Sequence, residues 1–200
     1  MCPRPKGFTL IETLVASAVV SLLLGAIYFS LIYGFRQLRQ TVAYSDVQQQ
    51  AQLAIRSLKD DLGETNFAKV DLAVDRVAMI SPRGLRDQPN SELYTYTGAG
   101  LLQYRSWVGY YRTTGGELRR AQIDVNPDVV LPDPIVAPAP AAFAAVTGPL
   151  VKTVARDLSL FQVTPDASIQ TLSIAVTVRK AVNSTRRTEL SLTAQVRARH

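Results

Sequence analysis

The stretch Lys6-Gly7-Phe8-Thr9-Leu10-Ile11-Glu12 decides how this chain is organised, because about twenty-three uncharged residues follow it directly, from 13 to 35. A helix of that length reaches across the roughly 30 Å hydrocarbon core of a bilayer. The run contains no proline, and its two glycines are compatible with a membrane helix. The sequence therefore predicts an N-terminal anchor in which residues 8–35 form the transmembrane half of a longer helix.

One carboxylate, Glu12, lies at the front of this apolar run, four residues after Phe8. An acid at mid-membrane costs about 2.5 to 3.5 kcal/mol, a cost that a dozen aliphatic and phenylalanine residues outweigh. An ionisable residue inside a membrane segment generally marks a functional site with a partner. Cleavage between Gly7 and Phe8 would create that partner, a positively charged α-amino group one helical turn from Glu12 or from the Glu12 of a neighbouring molecule. The alternative is a plain signal anchor with Glu12 at the headgroup boundary, where a helix N-terminus tolerates an acid.

These seven residues, with an apolar helix directly behind them, resemble the processing site of the type IV prepilins and of the pseudopilins of type II secretion. In that family a membrane peptidase cuts after the glycine and methylates the new N-terminal phenylalanine. The resemblance implies that residues 1–7 are a leader peptide, that cleavage follows Gly7, that Phe8 is N-methylated and that Glu12 acts in assembly. It also implies four partners: a prepilin peptidase/methyltransferase, other pilin or pseudopilin subunits, an inner-membrane assembly platform and the lipid bilayer.

The charges around the apolar run bear on its orientation. Arg4 and Lys6 precede it and favour a cytoplasmic N-terminus by the positive-inside rule, whereas Arg36 and Arg39 at the far end weaken this asymmetry. The resemblance to a prepilin processing site decides the orientation: a single pass through the inner membrane with the C-terminal domain outside the cytoplasm. After assembly the protein would reside in a pilus or pseudopilus.

The single cysteine, Cys2, precedes the apolar run, so cleavage after Gly7 would leave a mature chain without a thiol. Disulfides and cysteine-ligated metals are then excluded. Many pilins close a C-terminal loop with a disulfide, and this chain departs from that pattern. Its C-terminal region must be held by packing and strand pairing.

Beyond the anchor, apolar residues recur at helical spacing and predict an amphipathic second half of the helix over residues 36–62, with Gly63 as its C-cap. Residues 63–200 then read as one β-rich domain. Strands are expected in 68–80 and in 92–97, where the residues alternate.

Two hairpins are expected further on. The first is Ser106-Trp107-Val108-Gly109-Tyr110-Tyr111-Arg112 joined to residues 117–123 through a turn with two glycines. The second consists of two alternating runs within 172–179 and 190–197, whose apolar face should pack on the amphipathic half of the helix. A strand is also expected at 158–163. The stretch 126–149, rich in proline and alanine, is expected to be an extended surface loop.

A long N-terminal helix followed only by antiparallel strands is an α+β arrangement, similar to the pilin fold. Three features of the globular part resemble the larger minor subunits of the family, the J-type minor pseudopilin and the W-type minor pilin. They are Asp60-Asp61-Leu62 late in the helix, the hairpin from Tyr110-Tyr111-Arg112 to Glu117-Leu118-Arg119-Arg120, and the late strands that end in Val196-Arg197-Ala198-Arg199. The resemblance implies a minor subunit of a type IV pilus or of a type II secretion pseudopilus, in its tip or initiation complex.

The sequence indicates no catalytic constellation, no cofactor and no metal site, since its only histidine is the terminal His200. Asp60, Asp61 and Glu64 could bind calcium, but a solvated acidic cluster is the simpler interpretation. A DNA-binding pilus subunit is an alternative function that would use arginine and aromatic side chains. The residues that it would use are Arg119, Arg120, Arg186, Arg187, Tyr94, Tyr96, Tyr104, Trp107, Tyr110 and Tyr111. Packing within the sheet is the competing interpretation for these aromatic residues.

Overall fold

A computed structural model of the chain describes residues 9–86, 93–130, 136–182 and 186–197. The chain divides into two compact units, residues 1–42 and residues 43–200. The first helix, α1, runs from Leu10 to Glu64 and contributes to both units.

In the first unit, residues 13–35 of α1 are uncharged and predominantly apolar on every side of the helix. None of the residues from Leu10 to Val42 is buried. Large side chains such as Leu22 and Phe29 are about three-quarters exposed (75% and 71%). A helix that is hydrophobic all round requires an apolar surrounding, from protein or from lipid. Of the described helices, α1 is the one long and apolar enough to cross a membrane.

In the second unit, α1 becomes amphipathic as predicted. Its buried stripe consists of Ala43, Val47, Ala51, Ala54, Leu58 and Leu62. The prediction that Gly63 caps the helix is wrong, because α1 continues through Gly63 to Glu64. Tertiary contacts hold this last turn: Glu64 pairs with Arg83, and the next residue, the buried Thr65, donates its hydroxyl proton to the carbonyl of Ile80 at 2.7 Å.

In the described part of the chain, two antiparallel sheets follow the helix. The first has five strands in sequential order: β1 (Val70–Ala73), β2 (Arg76–Ser81), β3 (Gln103–Arg112), β4 (Leu118–Val130) and β5 (Val151–Ala155). The second has three strands, also in sequential order: β6 (Leu158–Asp166), β7 (Thr171–Ala181) and β8 (Arg187–Arg197). Short 3₁₀ helices cover Phe67–Lys69 and Gly148–Leu150, and a second α-helix, α2, covers Pro140–Ala145.

Both sheets share one apolar core with residues 43–64 of α1. Its members include Val47, Ala51, Ala54, Leu58 and Leu62 of the helix, Val77, Met79, Val108, Tyr110 and Leu118 of the larger sheet, and Phe161, Leu172, Ile174, Val176 and Val178 of the smaller one. This packing confirms the predicted pilin-like α+β arrangement of a long N-terminal helix and antiparallel sheets.

Both predicted hairpins are present. In the β3–β4 hairpin Gly116 adopts a φ of +77°, the conformation that the turn requires of a glycine. The β7–β8 hairpin pairs over eleven positions, from Thr171 opposite Arg197 to Ala181 opposite Arg187. The expected strand at 92–97 is wrong over its described residues, which make only an isolated bridge between Tyr96 and Leu102. Alternation alone does not form a strand when no long neighbour pairs with it.

The prediction of a surface loop over 126–149 is also wrong in part. Strand β4 continues to Val130. Its register with β3 shifts between the pairs Ser106–Asp124 and Tyr104–Val129, and Pro127 lies in that interval. The missing amide proton of the proline therefore removes no regular hydrogen bond of the sheet. Residues 131–135 lie outside the described residues. After them, α2 returns to the sheet and buries Phe143 completely on the face opposite α1.

Candidate assembly site

The first turn of α1 is closed by a reciprocal pair of side chains, Thr9 and Glu12. The Thr9 amide and the Thr9 hydroxyl both donate to Oε2 of Glu12, at 2.8 and 3.0 Å. In return, the Glu12 amide donates to the Thr9 carbonyl at 3.1 Å and lies 3.4 Å from the Thr9 hydroxyl oxygen. This is a capping box, in which an N-cap threonine and a glutamate three residues later satisfy each other's amides.

The capping box explains how an acid is accommodated at the front of an apolar helix. The first amides of a helix have no intrahelical partner, and an unpaired amide in hydrocarbon costs several kcal/mol. Glu12 satisfies one such donor and lies at the positive end of the helix dipole. Its donors are neutral, so neither of them offsets a negative charge on the carboxylate. Both contacts use Oε2, and Oε1 accepts no hydrogen bond from any described residue.

Of the three residues predicted to act in processing and assembly, only Glu12 falls within the part of the chain that is described. Gly7 and Phe8 lie outside the described residues. Between the two residues of the capping box, the side chains of Leu10 and Ile11 are strongly exposed, at 83% and 72%. The acidic group therefore lies at the start of a long apolar surface.

A second polar cluster connects α1 to the larger sheet within the globular unit. Asp61 accepts hydrogen bonds from Arg120 of β4, at 2.7 Å from Nε and 3.2 Å from Nη2, and from the hydroxyl of Tyr110, at 2.5 Å. The Ser57 hydroxyl lies 2.7 Å from the Tyr110 oxygen. The side chains of Arg120 and Asp61 are only 9% and 14% exposed.

Burial governs the protonation of this cluster. Removal from water, reinforced by the neighbouring charge of Asp61, raises the pKa of Tyr110 well above its usual value, so the phenol stays protonated and donates. Burial also disfavours the charged form of Arg120, but the hydrogen bonds and charge of Asp61 outweigh that effect and raise its pKa. The cluster is a stable ion pair with a neutral tyrosine.

This cluster also bears on the alternative sites considered from the sequence. Asp61 and Glu64 are each engaged by an arginine, Arg120 and Arg83, which removes two of the three carboxylates suggested for calcium. Among the described residues, no group of three or more His, Cys, Asp or Glu side chains is placed to hold a metal ion.

Five of the ten residues suggested for DNA contact are buried or paired with an acidic side chain. Arg120 is buried against Asp61, and Arg119 binds Glu117 at 2.8 Å. Three of the suggested aromatic residues, Tyr104, Trp107 and Tyr110, are buried in the core. Of the others, Tyr111 is half-buried, and Tyr94 and Tyr96 are exposed. Sheet packing, the competing interpretation, holds for the buried residues.

Sequence reasoning missed two of these relationships. The Thr9–Glu12 capping box could have been predicted from the sequence, because a threonine three residues before a glutamate at the start of an apolar run is its signature. The ion pair between Asp61 and Arg120 was not readable, because its partners lie 59 residues apart and meet only when β4 packs over the helix.

In a comparison with known protein families, residues 2–28 match the prokaryotic N-terminal methylation motif. No curated protein and no solved structure matches the chain. The matched region contains Gly7, Phe8, the capping box and the first part of the apolar helix. The matched motif is typical of type IV pilins and pseudopilins, and the apolar helix and the α+β arrangement behind it fit a membrane-anchored protein with a pilin-like fold.

Proposed function

We propose that this chain is a minor pilin or pseudopilin of the larger J or W type. A prepilin peptidase cleaves it after Gly7 and methylates the amine of Phe8. The mature subunit then assembles through α1 into the tip or initiation complex of a type IV pilus or a type II secretion pseudopilus. Before assembly it spans the inner membrane once, with its N-terminus in the cytoplasm and its β-rich domain outside.

The observation that carries this proposal is the carboxylate of Glu12 at the head of an apolar surface, bound only by neutral donors among the described residues. The capping box satisfies one oxygen with neutral donors and leaves Oε1 without a partner among the described residues. A positive charge in the same apolar environment would neutralise Glu12, since two opposite charges in lipid are each costly when unpaired. The amine that cleavage creates on Phe8 of a neighbouring subunit supplies that charge.

Assembly by this contact is head-to-tail rather than reciprocal, because the Phe8 amine of one subunit meets Glu12 of the next. Such heterologous contacts propagate into helical filaments when the rotation does not close. The partners are therefore other pilin or pseudopilin subunits and the inner-membrane platform on which they assemble.

Replacement of Gly7 by leucine tests the processing step. The peptidase of the family cuts after glycine, so Gly7→Leu is expected to accumulate as precursor when the chain is produced together with a prepilin peptidase. On a gel the wild-type chain should shift to the mature size and the variant should not. A wild-type chain that never shifts would instead mark a plain signal-anchored domain and would refute the proposal.

A further inference from the structure

Strand β8 forms one edge of the three-stranded sheet, and it is unusually open for an edge. It pairs with β7 over eleven consecutive positions, and no other strand of the described chain pairs with its outer side. The remaining edges are short or interrupted: β1 has four residues, β5 has five, and β6 contains Pro165 and a register shift. Natural proteins blunt edge strands by these devices, and β8 has neither a proline nor a bulge.

Every second residue of β8 directs its backbone amide and carbonyl to that outer side. The amide of Val182 donates to the carbonyl of Arg186 across the hairpin, whereas the amide of Arg179 donates to Asp157 on the β6 side. Backbone groups alternate between the two sides along an antiparallel strand. The even-numbered residues of β8 therefore bond to β7, and the odd-numbered residues, Glu189 to Gln195 among them, direct their amides and carbonyls to the open edge.

The inner row of β8 is also incompletely covered. In β7 the inward-facing residues Leu172, Ile174, Val176 and Val178 are fully buried. The corresponding row of β8, Leu190, Leu192 and Val196, packs against the same core but is only partly buried. A strand added beside β8 would satisfy the odd-numbered backbone groups and cover this apolar row at the same time.

The outer face of β8 is basic. Its single acidic residue, Glu189, is already bound by Arg179 of β7 at 3.1 Å. Arg187 and Arg197 stand exposed at the two ends of the strand. Opposite charges on facing strands stabilise pairing and like charges oppose it, so an acidic face suits this edge.

We infer that the open edge of β8 binds an extended segment of another protein in which apolar residues alternate with acidic ones. This inference deepens the proposed function and rests on it for the setting, an assembly in which subunits lie side by side. A second copy of β8 fits poorly, because full-length antiparallel pairing of the strand with itself sets Arg187 opposite Arg197 at both ends. The occupant adds a fourth strand and buries its apolar residues beside Leu190 and Leu192.

A designed peptide tests this inference on the full-length chain in detergent micelles. The probe is a blocked, fluorescent peptide of eleven residues that alternates glutamate with valine and has glutamate at both ends. Its glutamates face the odd-numbered residues of β8, so their amides are the ones that bond to the edge. We expect saturable binding by fluorescence anisotropy, and at least tenfold slower hydrogen exchange of the amides of Glu189, Thr193 and Gln195.

Two modified peptides serve as controls that leave the protein unchanged. N-methylation of three central glutamates removes donors that face β8 and should weaken binding at least tenfold, whereas N-methylation of three central valines should change it less than threefold. A peptide with lysine in place of every glutamate should also bind at least tenfold more weakly.

A matched pair of variants tests the same edge from the side of the protein. Thr193→Pro removes an outward amide without removing a bond to β7, and proline is tolerated at such positions of edge strands. It should weaken binding at least tenfold, while Thr193→Ala should change it less than twofold.

Three results would overturn the inference: no binding at millimolar peptide, equal binding of the two N-methylated peptides, or equal binding of the lysine peptide. Self-association of the chain that Thr193→Pro abolishes would overturn it too, because the occupant would then be a second copy. None of these results bears on cleavage after Gly7, so this inference and the proposed function can fail separately.

Discussion

Phe143 of α2 lies directly on Gly109 of β3, so closely that a Cβ atom added to Gly109 would be 2.4 Å from Cδ1 of the phenyl ring. Only a glycine allows this approach. The contact fixes the returning end of the proline- and alanine-rich segment to the sheet, on the face opposite α1. Residues 136–150 are therefore part of the fold rather than a free loop.

Gly109→Ala should destabilise the globular unit by about 1 to 3 kcal/mol, the usual cost of overpacking a close contact. The measurement is denaturant unfolding followed by the fluorescence of the single tryptophan, Trp107, which is buried in the same cluster as Phe143. Gly98→Ala is the matched control, because nothing lies within 4 Å of its added Cβ. Equal free energies of unfolding for the two variants would contradict the close contact between Phe143 and Gly109.

Removal of Asp61 should be more costly. Asp61→Ala leaves the buried guanidinium of Arg120 without its counter-charge, a change that typically costs about 3 to 5 kcal/mol. The double variant Asp61→Leu with Arg120→Met should recover part of that loss, since an apolar pair of similar volume has no charge to desolvate. The free energies of unfolding of the single and double variants form the test.

An exposed ion pair provides the comparison for this prediction. Glu189→Gln breaks the contact between Glu189 and Arg179, whose side chains are about half exposed (48% and 47%), and should cost less than about 1 kcal/mol. If Asp61→Ala lowers the free energy of unfolding no more than Glu189→Gln does, the cluster does not stabilise the packing of the helix on the sheet.

The pair of Arg112 and Asp75 predicts a pH dependence. Two hydrogen bonds from the Arg112 guanidinium, at 2.9 and 2.8 Å, lower the pKa of Asp75 below its usual 3.8. A depressed carboxylate pKa adds stability that is present above the unfolded pKa and is lost as the pH falls through the folded pKa. Wild type should therefore exceed Asp75→Asn in stability at neutral pH, and the difference should shrink only below about pH 3.8.

Asparagine is the appropriate replacement because Asp75 has a φ of +57°, a left-handed conformation that asparagine also tolerates. The measurement is the free energy of unfolding of both proteins between pH 7 and pH 3. A difference that stays constant over this range would show that the charge of Asp75 contributes nothing to folding.

Much of this fold is predictable from the sequence because its signals are local. The apolar run, the helical spacing of Val47 to Leu62 and the alternation in β7 and β8 each follow from one period within one segment. The extension of α1 through Gly63 and the return of α2 to the sheet depend on distant partners, Arg83 and Gly109. The local preferences of residues for helix or strand do not predict those long-range contacts.

The candidate assembly site shows the same division. Glu12 can be recognised in the sequence as an acid before an apolar run. Thr9 can be recognised as its capping partner from the three-residue spacing between them. The open edge of β8 was not visible, because strand order in a sheet is a property of the whole domain. Alternation predicts that a strand exists and which face is apolar, but it does not predict which strand lies at the edge.

Separate substitutions distinguish the capping contact of Glu12 from its proposed role in assembly. Glu12→Gln preserves a capping side chain but removes the charge, so we expect normal insertion and cleavage and loss of incorporation into filaments. Thr9→Ala removes the capping hydroxyl, at a cost of about 1 kcal/mol to the helix end, and keeps the charge, so incorporation should persist. Immunoblots of sheared filaments, or of cross-linked pseudopili, measure incorporation. Glu12→Gln subunits at wild-type levels would refute the charge pairing.

The most direct test of the account is the intact mass of the mature chain purified from the membrane of cells that contain the peptidase. We predict a polypeptide that begins at Phe8 and carries one methyl group on its α-amine, the cation that Glu12 of the neighbouring subunit requires. A chain that still begins at Met1, or that begins at any residue other than Phe8, would contradict it.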